Sequence, residues 1–176
     1  MTPHLARFFE RLEASRTRAL ALLDPHDREA LNRPPRPGRW SALQVLHHVV
    51  ESEASALAYI RKKMRAGSSL PHAGLASRLR RAAVQAGLAS PFRFRAPAAT
   101  GTVPDVVDAE ALRARWSEVR TGLRELVEEF PASLEDRVVL RHPLAGLMGL
   151  ADSLAVLQAH LDHHARQVAR ALARDR

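Results

Sequence analysis

Two histidines near the C-terminus, His160 and His164, have a spacing that lets one helix present both to a single metal ion. They lie in a long run of apolar residues at helical spacing, where residues four apart stand about 5–6 Å apart at Cβ. Both side chains are expected to project from the flank of the apolar face and to point partly inward. His163 is expected to point more to the side and Asp162 outward.

Two imidazoles on an inward flank need partners, because a buried ring nitrogen without a hydrogen bond is costly. One divalent metal ion would satisfy both rings, and neutral imidazole is the most frequent side-chain ligand of metals in proteins. The alternative is a histidine pair that is hydrogen-bonded to Glu53 or to water. Because two histidines do not complete a metal site, a third ligand is expected from another element.

The candidates for the third ligand are His47 and His48, in the second predicted helix. Both lie off the centre of the aliphatic stripe of that helix, so hydrophobic periodicity alone does not choose between them. His47 shares its side with charged residues, which is typical of a solvent-facing surface. His48 belongs to a strip of small and polar side chains that could border a cavity, which favours His48. The strip consists of Ser41, His48, Ser52, Ser55 and Tyr59.

Glu53 is the candidate catalytic residue. It projects onto the middle of the aliphatic stripe of the second predicted helix, where an unpaired carboxylate would be costly. We therefore expect it to orient a ligand imidazole or to act as a general base. The alternative is a salt bridge between Glu53 and an arginine.

Four long segments with apolar residues at helical spacing predict four long helices. The predicted helices run from Thr2 to about Leu22, from Ser41 to about Gly67, from Ala109 to Phe130 and from Leu147 to Leu172. A proline-rich connection, residues 24–38, separates the first two and is expected not to be helical. Because no segment shows the clear alternation of apolar and polar residues that is typical of strands, the predicted fold class is all-α. We expect a single four-helix-bundle domain over residues 1–176.

Residues 67–104 form a long irregular insert between the second and third predicted helices. The spacing of Leu75, Leu79, Ala82 and Ala86 permits one short helix within it. A connection of this length in a compact domain usually has a function of its own, and we expect it to cover one end of the bundle.

Composition narrows the possible partners and locations. The 176 residues contain no cysteine, which excludes thiolate metal sites and a cysteine nucleophile and suits a cytoplasmic location. The net charge is +8, but the arginines are spread along the chain and aromatic residues make up only 5% of it, so no nucleic-acid partner is expected. The longest apolar run contains Asp152 and is too short to span a bilayer.

Three spaced motifs resemble the DinB-like (DinB/YfiT) superfamily of metal-dependent four-helix bundles. Pro37-Gly38-Arg39-Trp40-Ser41, with His48 eight residues after the tryptophan, resembles the family element P-G-x-W-[ST] and its ligand histidine. His142-Pro143 followed by Gly146 resembles the turn before the last helix. His160, His164 and Gln167 match the ending H-x-x-x-H-x-x-[QH]. The resemblance implies that His48, His160 and His164 are the metal ligands, and it chooses His48 over His47.

Three histidines on one divalent ion leave a coordination position open, as catalytic sites do. Zinc or nickel is expected first, with iron or manganese as alternatives. Relatives of the superfamily include enzymes that use a low-molecular-weight thiol, so the resemblance implies a metal-dependent hydrolase or a small-thiol-dependent S-transferase acting on a small molecule. The alternative is a non-catalytic stress-response or ligand-binding bundle with a vestigial site. A homodimer is expected, since such bundles often self-associate.

Overall fold

The structure is a computed structural model that describes residues 2–66, 69–89, 102–142 and 146–173. These residues form six α-helices and a short two-stranded antiparallel sheet. The helices are α1 (Pro3–Ala21), α2 (Arg28–Asn32), α3 (Ala42–Met64), α4 (Leu75–Ala89), α5 (Ala109–Glu128) and α6 (Leu150–Leu172). The strands are β1 (Leu140–His142) and β2 (Gly146–Met148), and a 3₁₀ turn spans Ala132–Leu134.

The four long helices α1, α3, α5 and α6 form the predicted four-helix bundle. Helix α6 packs against both α1 and α3, and α5 closes the ring by packing against α3 and, less extensively, α1. The apolar stripes of the four helices meet in a core whose largest fully buried side chain is Trp116. Within the described residues, no helix is long and apolar enough to cross a membrane.

Helix α3 begins at a capping box that sets where its side chains point. The Ser41 hydroxyl accepts a hydrogen bond from the backbone N–H of Gln44 (3.2 Å), and the Gln44 side-chain oxygen accepts one from the backbone N–H of Ser41 (2.9 Å). This reciprocal pair satisfies two of the N–H groups that a helix start leaves without partners. The N-terminus predicted at Ser41 is confirmed, and His48 therefore lies two turns into a well-anchored helix.

The start of the last helix differs from the sequence expectation. Residues Gly146–Met148 form β2, which pairs with β1 so that Leu140 faces Met148, and α6 begins only at Leu150. Gly146, the first residue of β2, adopts a left-handed backbone conformation (φ 69°), which favours glycine. The expectation that the last helix begins at Leu147 is wrong, because Leu147 lies on β2 and is 43% exposed.

Two further helices lie between the long ones. The short helix α2 interrupts the connection that the prolines predicted to be non-helical. Its cap is Asp27, whose carboxylate accepts a hydrogen bond from the Ala30 N–H at 2.8 Å. The short helix permitted within the insert is α4, which packs against α6 and β2. Residues 67–68 and 90–101 of the insert, and residues 143–145 of the predicted turn, lie outside the described residues.

A buried charge network joins α3 to α5 and α1. Glu53 is fully buried, and its carboxylate accepts hydrogen bonds from Arg120 Nη2 (2.7 Å), Arg120 Nε (2.9 Å) and Trp116 Nε1 (2.9 Å). Arg120 is 3% exposed and also bonds Glu13 of α1 through Nη1 at 3.0 Å. Burial raises the pKa of Glu53, and the charge of Arg120 with the hydrogen bonds from Arg120 and Trp116 opposes that rise. The network holds three helices in register.

Replacing Arg120 by methionine should destabilise the protein strongly. The Glu53 carboxylate would keep only the Trp116 donor, and breaking a buried ion pair costs about 3–5 kcal/mol. The control is Arg113→Met on the same helix, which breaks an ion pair to the 65% exposed side chain of Asp24 and should cost below about 1 kcal/mol. The measurement is urea unfolding followed by circular dichroism.

A double variant, Arg120→Met with Glu53→Met, should recover much of the lost stability, because no buried charge then lacks its partner. Equal losses of unfolding free energy for Arg120→Met and Arg113→Met would contradict the assignment of the network as a buried, strongly coupled pair.

Candidate metal centre

Two neighbouring helices bring His48, His160 and His164 together. His160 and His164 stand one turn apart on α6, and His48 faces them from α3, which packs alongside α6. Each residue offers one ring nitrogen to a cluster in which all three nitrogens lie within 4.8 Å of one another. The described residues place no aspartate or glutamate in this cluster.

The three rings meet edge to face. Ring centroids are 4.5 Å apart for His160 and His164, 5.0 Å for His48 and His164, and 5.3 Å for His48 and His160. The Nε2 atoms of His160 and His164 are 3.1 Å apart. Trp40, the residue before the α3 cap, packs against His48 with ring centroids 5.4 Å apart. The Trp40-Ser41 element thus both starts α3 and supports the His48 ring.

Gln167 selects the tautomer of His164. The Nδ1 atom of His164 lies 3.0 Å from the Gln167 side-chain oxygen, which can only accept a hydrogen bond. Nδ1 therefore carries the proton, and the Nε2 lone pair of His164 faces the cluster. Such an outer hydrogen bond is what orients metal-binding imidazoles and increases their basicity.

All three histidines are held in the neutral form. Burial lowers the pKa of His164 from its ordinary value of 6.5 to about 3, with the charges of His48 and His163 acting in the same direction. Burial lowers the pKa of His48, and to a larger extent that of His160, where the neighbouring histidines add to the effect. A positive charge on one ring would be desolvated, and a charge on a second ring would also be repelled by the first.

The donor set fits a divalent transition-metal ion. Tetrahedral zinc with Zn–N bonds of about 2.0–2.1 Å separates its ligand nitrogens by roughly 3.3 Å, close to the spacing between His160 and His164. Neutral imidazoles need not lose a proton to bind a metal, and the Gln167 contact pre-orients one of them. The assignment of His48, His160 and His164 as ligands stays a prediction that this geometry favours.

The remaining histidines near the cluster have other positions. His163 bonds the backbone carbonyl of Leu88 in α4 through Nδ1 at 2.9 Å and so ties α4 to α6. His47 lies beside His48 in sequence but outside the cluster, with a buried Nδ1 that has no hydrogen-bond partner among the described residues. The structure therefore brings His48, and not His47, to the pair on α6.

Glu53 does not join the histidine cluster. Both carboxylate oxygens are engaged by Arg120, and one also by Trp116. This is the arginine salt bridge that the sequence left open as an alternative. The catalytic role of Glu53 stays a prediction, and the observed contacts favour a structural role for this carboxylate.

Two contributors to the surroundings of the cluster were missed at the level of sequence. Arg120 follows Trp116 by four residues and so shares its inward face, a signal that could have identified the partner of Glu53. The docking of α4 on α6 had no sequence signal. Helix α4 is held on α6 by the ion pair between Arg81 and Asp152 and by a hydrogen bond from Gln85 to the Ala155 carbonyl (3.3 Å). His163 and Arg166 of α6 also bond the Leu88 carbonyl of α4.

Comparison with known proteins agrees with this architecture. A family model of the DinB superfamily matches residues 11–168, which is most of the chain. The chain belongs to the DinB superfamily. No protein with a curated functional description matches it.

Two solved structures of four-helix bundles are similar to this DinB-superfamily chain. TT2238, a four-helix bundle protein, shares 26% sequence identity over 94% of this chain and 98% of its own, with a TM-score of 0.59. YfiT from Bacillus subtilis shares 17% identity over 99% of this chain and 90% of its own, with a TM-score of 0.60. YfiT is described as a probable metal-dependent hydrolase with an unusual four-helix bundle topology. At 17% identity, its likeness to this chain is one of fold.

The neutral histidines predict how the metal-free protein responds to acid. Below about pH 6.5 the unfolded chain takes up protons at these residues while the folded chain does not, so stability falls as the pH falls. Each such histidine contributes a slope of about 1.4 kcal/mol per pH unit until its folded pKa is reached. The free energy of unfolding, measured in chelator from pH 7.5 to 5, should decrease accordingly.

The variant His164→Gln isolates this effect from other titrations. Its stability should fall less steeply between pH 6.5 and 5, by about 1.4 kcal/mol per pH unit relative to the unmodified chain. Parallel pH profiles for the two proteins would show that His164 takes up protons in the folded state as readily as in the unfolded chain.

Proposed function

We propose that this protein binds one divalent transition-metal ion through His48, His160 and His164 and uses it to activate a small-molecule substrate. The observation that carries this proposal is the convergence of three neutral imidazole nitrogens within 4.8 Å, in a cluster with no described carboxylate. Three ligands leave a tetrahedral ion with one open position, which is the arrangement of catalytic sites. A divalent ion held there acts as a Lewis acid that lowers the pKa of a bound water or thiol.

The chain's own residues have distinct parts in this proposal. Gln167 fixes His164 in the tautomer that presents Nε2, and Trp40 supports the His48 ring. His160 and His164 keep part of their surface exposed, so a small molecule can approach the cluster from α6. Apolar surroundings keep the rings neutral and available as ligands.

The reaction class is proposed as hydrolysis or as transfer to a small thiol. Hydrolysis draws support from the similar fold of YfiT, which is described as a probable metal-dependent hydrolase. A thiol-dependent transfer would need an external low-molecular-weight thiol, because the chain has no cysteine. Zinc or nickel is the proposed ion, with iron or manganese as alternatives.

One observation favours the non-catalytic alternative, a bundle that binds a ligand without transforming it. Glu53, the carboxylate predicted to act as a base, is fully engaged by Arg120 and Trp116. The two hypotheses differ in turnover. Metal-loaded protein that binds azide but neither hydrolyses activated esters and amides nor consumes glutathione would support the non-catalytic hypothesis.

Metal content tests the assignment of the ligands. Protein purified without chelator should contain roughly one divalent ion per chain, and His160→Ala or His164→Ala should lose most of it, because two imidazoles do not complete the site. The measurement is elemental analysis by mass spectrometry. The matched control is His163→Ala, which removes an adjacent imidazole that bonds Leu88 and lies outside the cluster.

Equal metal loss in His163→Ala and His160→Ala would mean that binding is not specific to the cluster. Absence of stoichiometric metal from the unmodified protein, after incubation with zinc and desalting, would exclude the proposed function.

Activity should follow the metal in the same proteins. Turnover in ester, amide or thiol-conjugation assays should fall by at least about 100-fold with chelator or with His164→Ala, since metal activation supplies several kcal/mol to such reactions. Adding zinc or nickel back should restore the activity of the chelator-treated unmodified protein but not that of His164→Ala. Turnover that survives complete metal removal would assign the chemistry to another part of the chain.

A further inference from the structure

A groove on the outer surface between α3 and α5 lies apart from the histidine cluster. It has a volume of ≈ 540 Å³, within the range of about 300–1,000 Å³ for small-molecule sites, and none of the three clustered histidines lines it. Its floor is apolar and small, formed in part by Leu57, Val119 and Gly122. A Cβ added at Gly122 would lie 2.8 Å from Leu57 Cδ2, so glycine lets the two helices approach closely there.

The rim of the groove is strongly basic. Its lining carries four cationic side chains, Arg61, Lys62, Arg65 and Arg115, and the carboxylate of Glu118, while Glu125 and Glu51 pair with two of the arginines from outside the lining. The Arg61 guanidinium donates hydrogen bonds to two groups of α5, the Gly122 carbonyl (3.2 Å) and the Glu125 carboxylate (3.0 Å). Its position over the floor is therefore fixed before any ligand arrives.

Two of the four rim cations have no counter-charge among the described side chains. The side chains of Lys62 and Arg65 are exposed and form no ion pair or hydrogen bond with any part of the chain that the structure describes. Arg115, by contrast, is shared between Glu51 (3.5 Å) and Glu118 (3.4 Å). These two cations lie at the end of the groove nearest the C-terminus of α3, where the helix dipole favours positive side chains.

We infer that this groove binds a small organic anion whose apolar body lies on the floor and whose acidic group meets Lys62 and Arg65. An apolar floor with a basic rim matches both halves of such a molecule. Single-stranded nucleic acid fits less well, because the described residues that line the groove include no aromatic side chain for base stacking. A second copy of the chain fits less well because its net charge of +8 repels the rim.

Anilinonaphthalene sulfonate is a suitable probe because it combines a fused aromatic body with one acidic group, and its fluorescence reports transfer to an apolar site. The test variant is Lys62→Glu with Arg65→Glu. The matched control is Arg7→Glu with Arg11→Glu, which makes the same change in net charge at two exposed arginines of α1. We expect about tenfold weaker binding of the probe by the test variant and an unchanged affinity in the control.

A second pair of probes separates charge from apolar contact. Laurate and dodecyltrimethylammonium have tails of the same length and opposite charge, and only laurate should displace the dye. Lys62→Gln with Arg65→Gln removes both charges without placing acids near the end of α3, and should weaken dye binding about threefold. Chelator should leave the affinity unchanged, which distinguishes this groove from the histidine cluster and keeps its test independent of the proposed metal chemistry.

Three results would overturn the inference. One is dye affinity that is equal in the unmodified protein and in both Lys62/Arg65 variants. Another is equal weakening by the Arg7/Arg11 control, which would reflect net charge alone. The third is a dimer in sedimentation that dissociates in the Lys62/Arg65 variants, because a second copy would then cover the groove.

Discussion

The burial of three imidazole rings between α3 and α6 is the constraint on which the rest of the site depends. In such a setting a protonated ring is desolvated, and a second protonated ring would be repelled by the first, so the histidines stay neutral, with the pKa of His164 lowered to about 3. Neutral rings keep lone pairs that need partners, and the Gln167 contact directs the lone pair of His164 toward the other two rings. The same interactions that make the cluster costly for protons make it suitable for a metal ion.

The buried charges and the buried histidines have separate roles in the bundle. Glu53 and Arg120 neutralise each other between α3 and α5, whereas His48, on the same helix as Glu53, turns toward α6. Helix α3 therefore carries a structural pair on one side and a prospective metal ligand on another. Solved structures with 17% and 26% identity share this fold, and a shared fold does not by itself specify a function.

Much of the architecture was predictable because its signals are local. The helical spacing of apolar residues and the Ser41 cap located the four long helices to within a few residues. The hairpin was missed because strands of three residues are too short to show alternation, so Leu147 was assigned to the helix that follows. His48 could be preferred from its polar strip, but its meeting with α6 depends on helix packing that periodicity does not specify. The same gap left the partner of Glu53 open between a metal ligand and an arginine.

X-ray absorption spectroscopy of the zinc-loaded protein tests the three-histidine site most directly, because it counts and identifies the atoms around the ion. A metal ion held by His48, His160 and His164 should show three imidazole nitrogens at about 2.0–2.1 Å and at least one further light atom from solvent. His48→Ala should remove one imidazole from the shell. Zinc with fewer than three imidazoles in the unmodified protein, or with a shell completed entirely by side chains, would contradict an open three-histidine site.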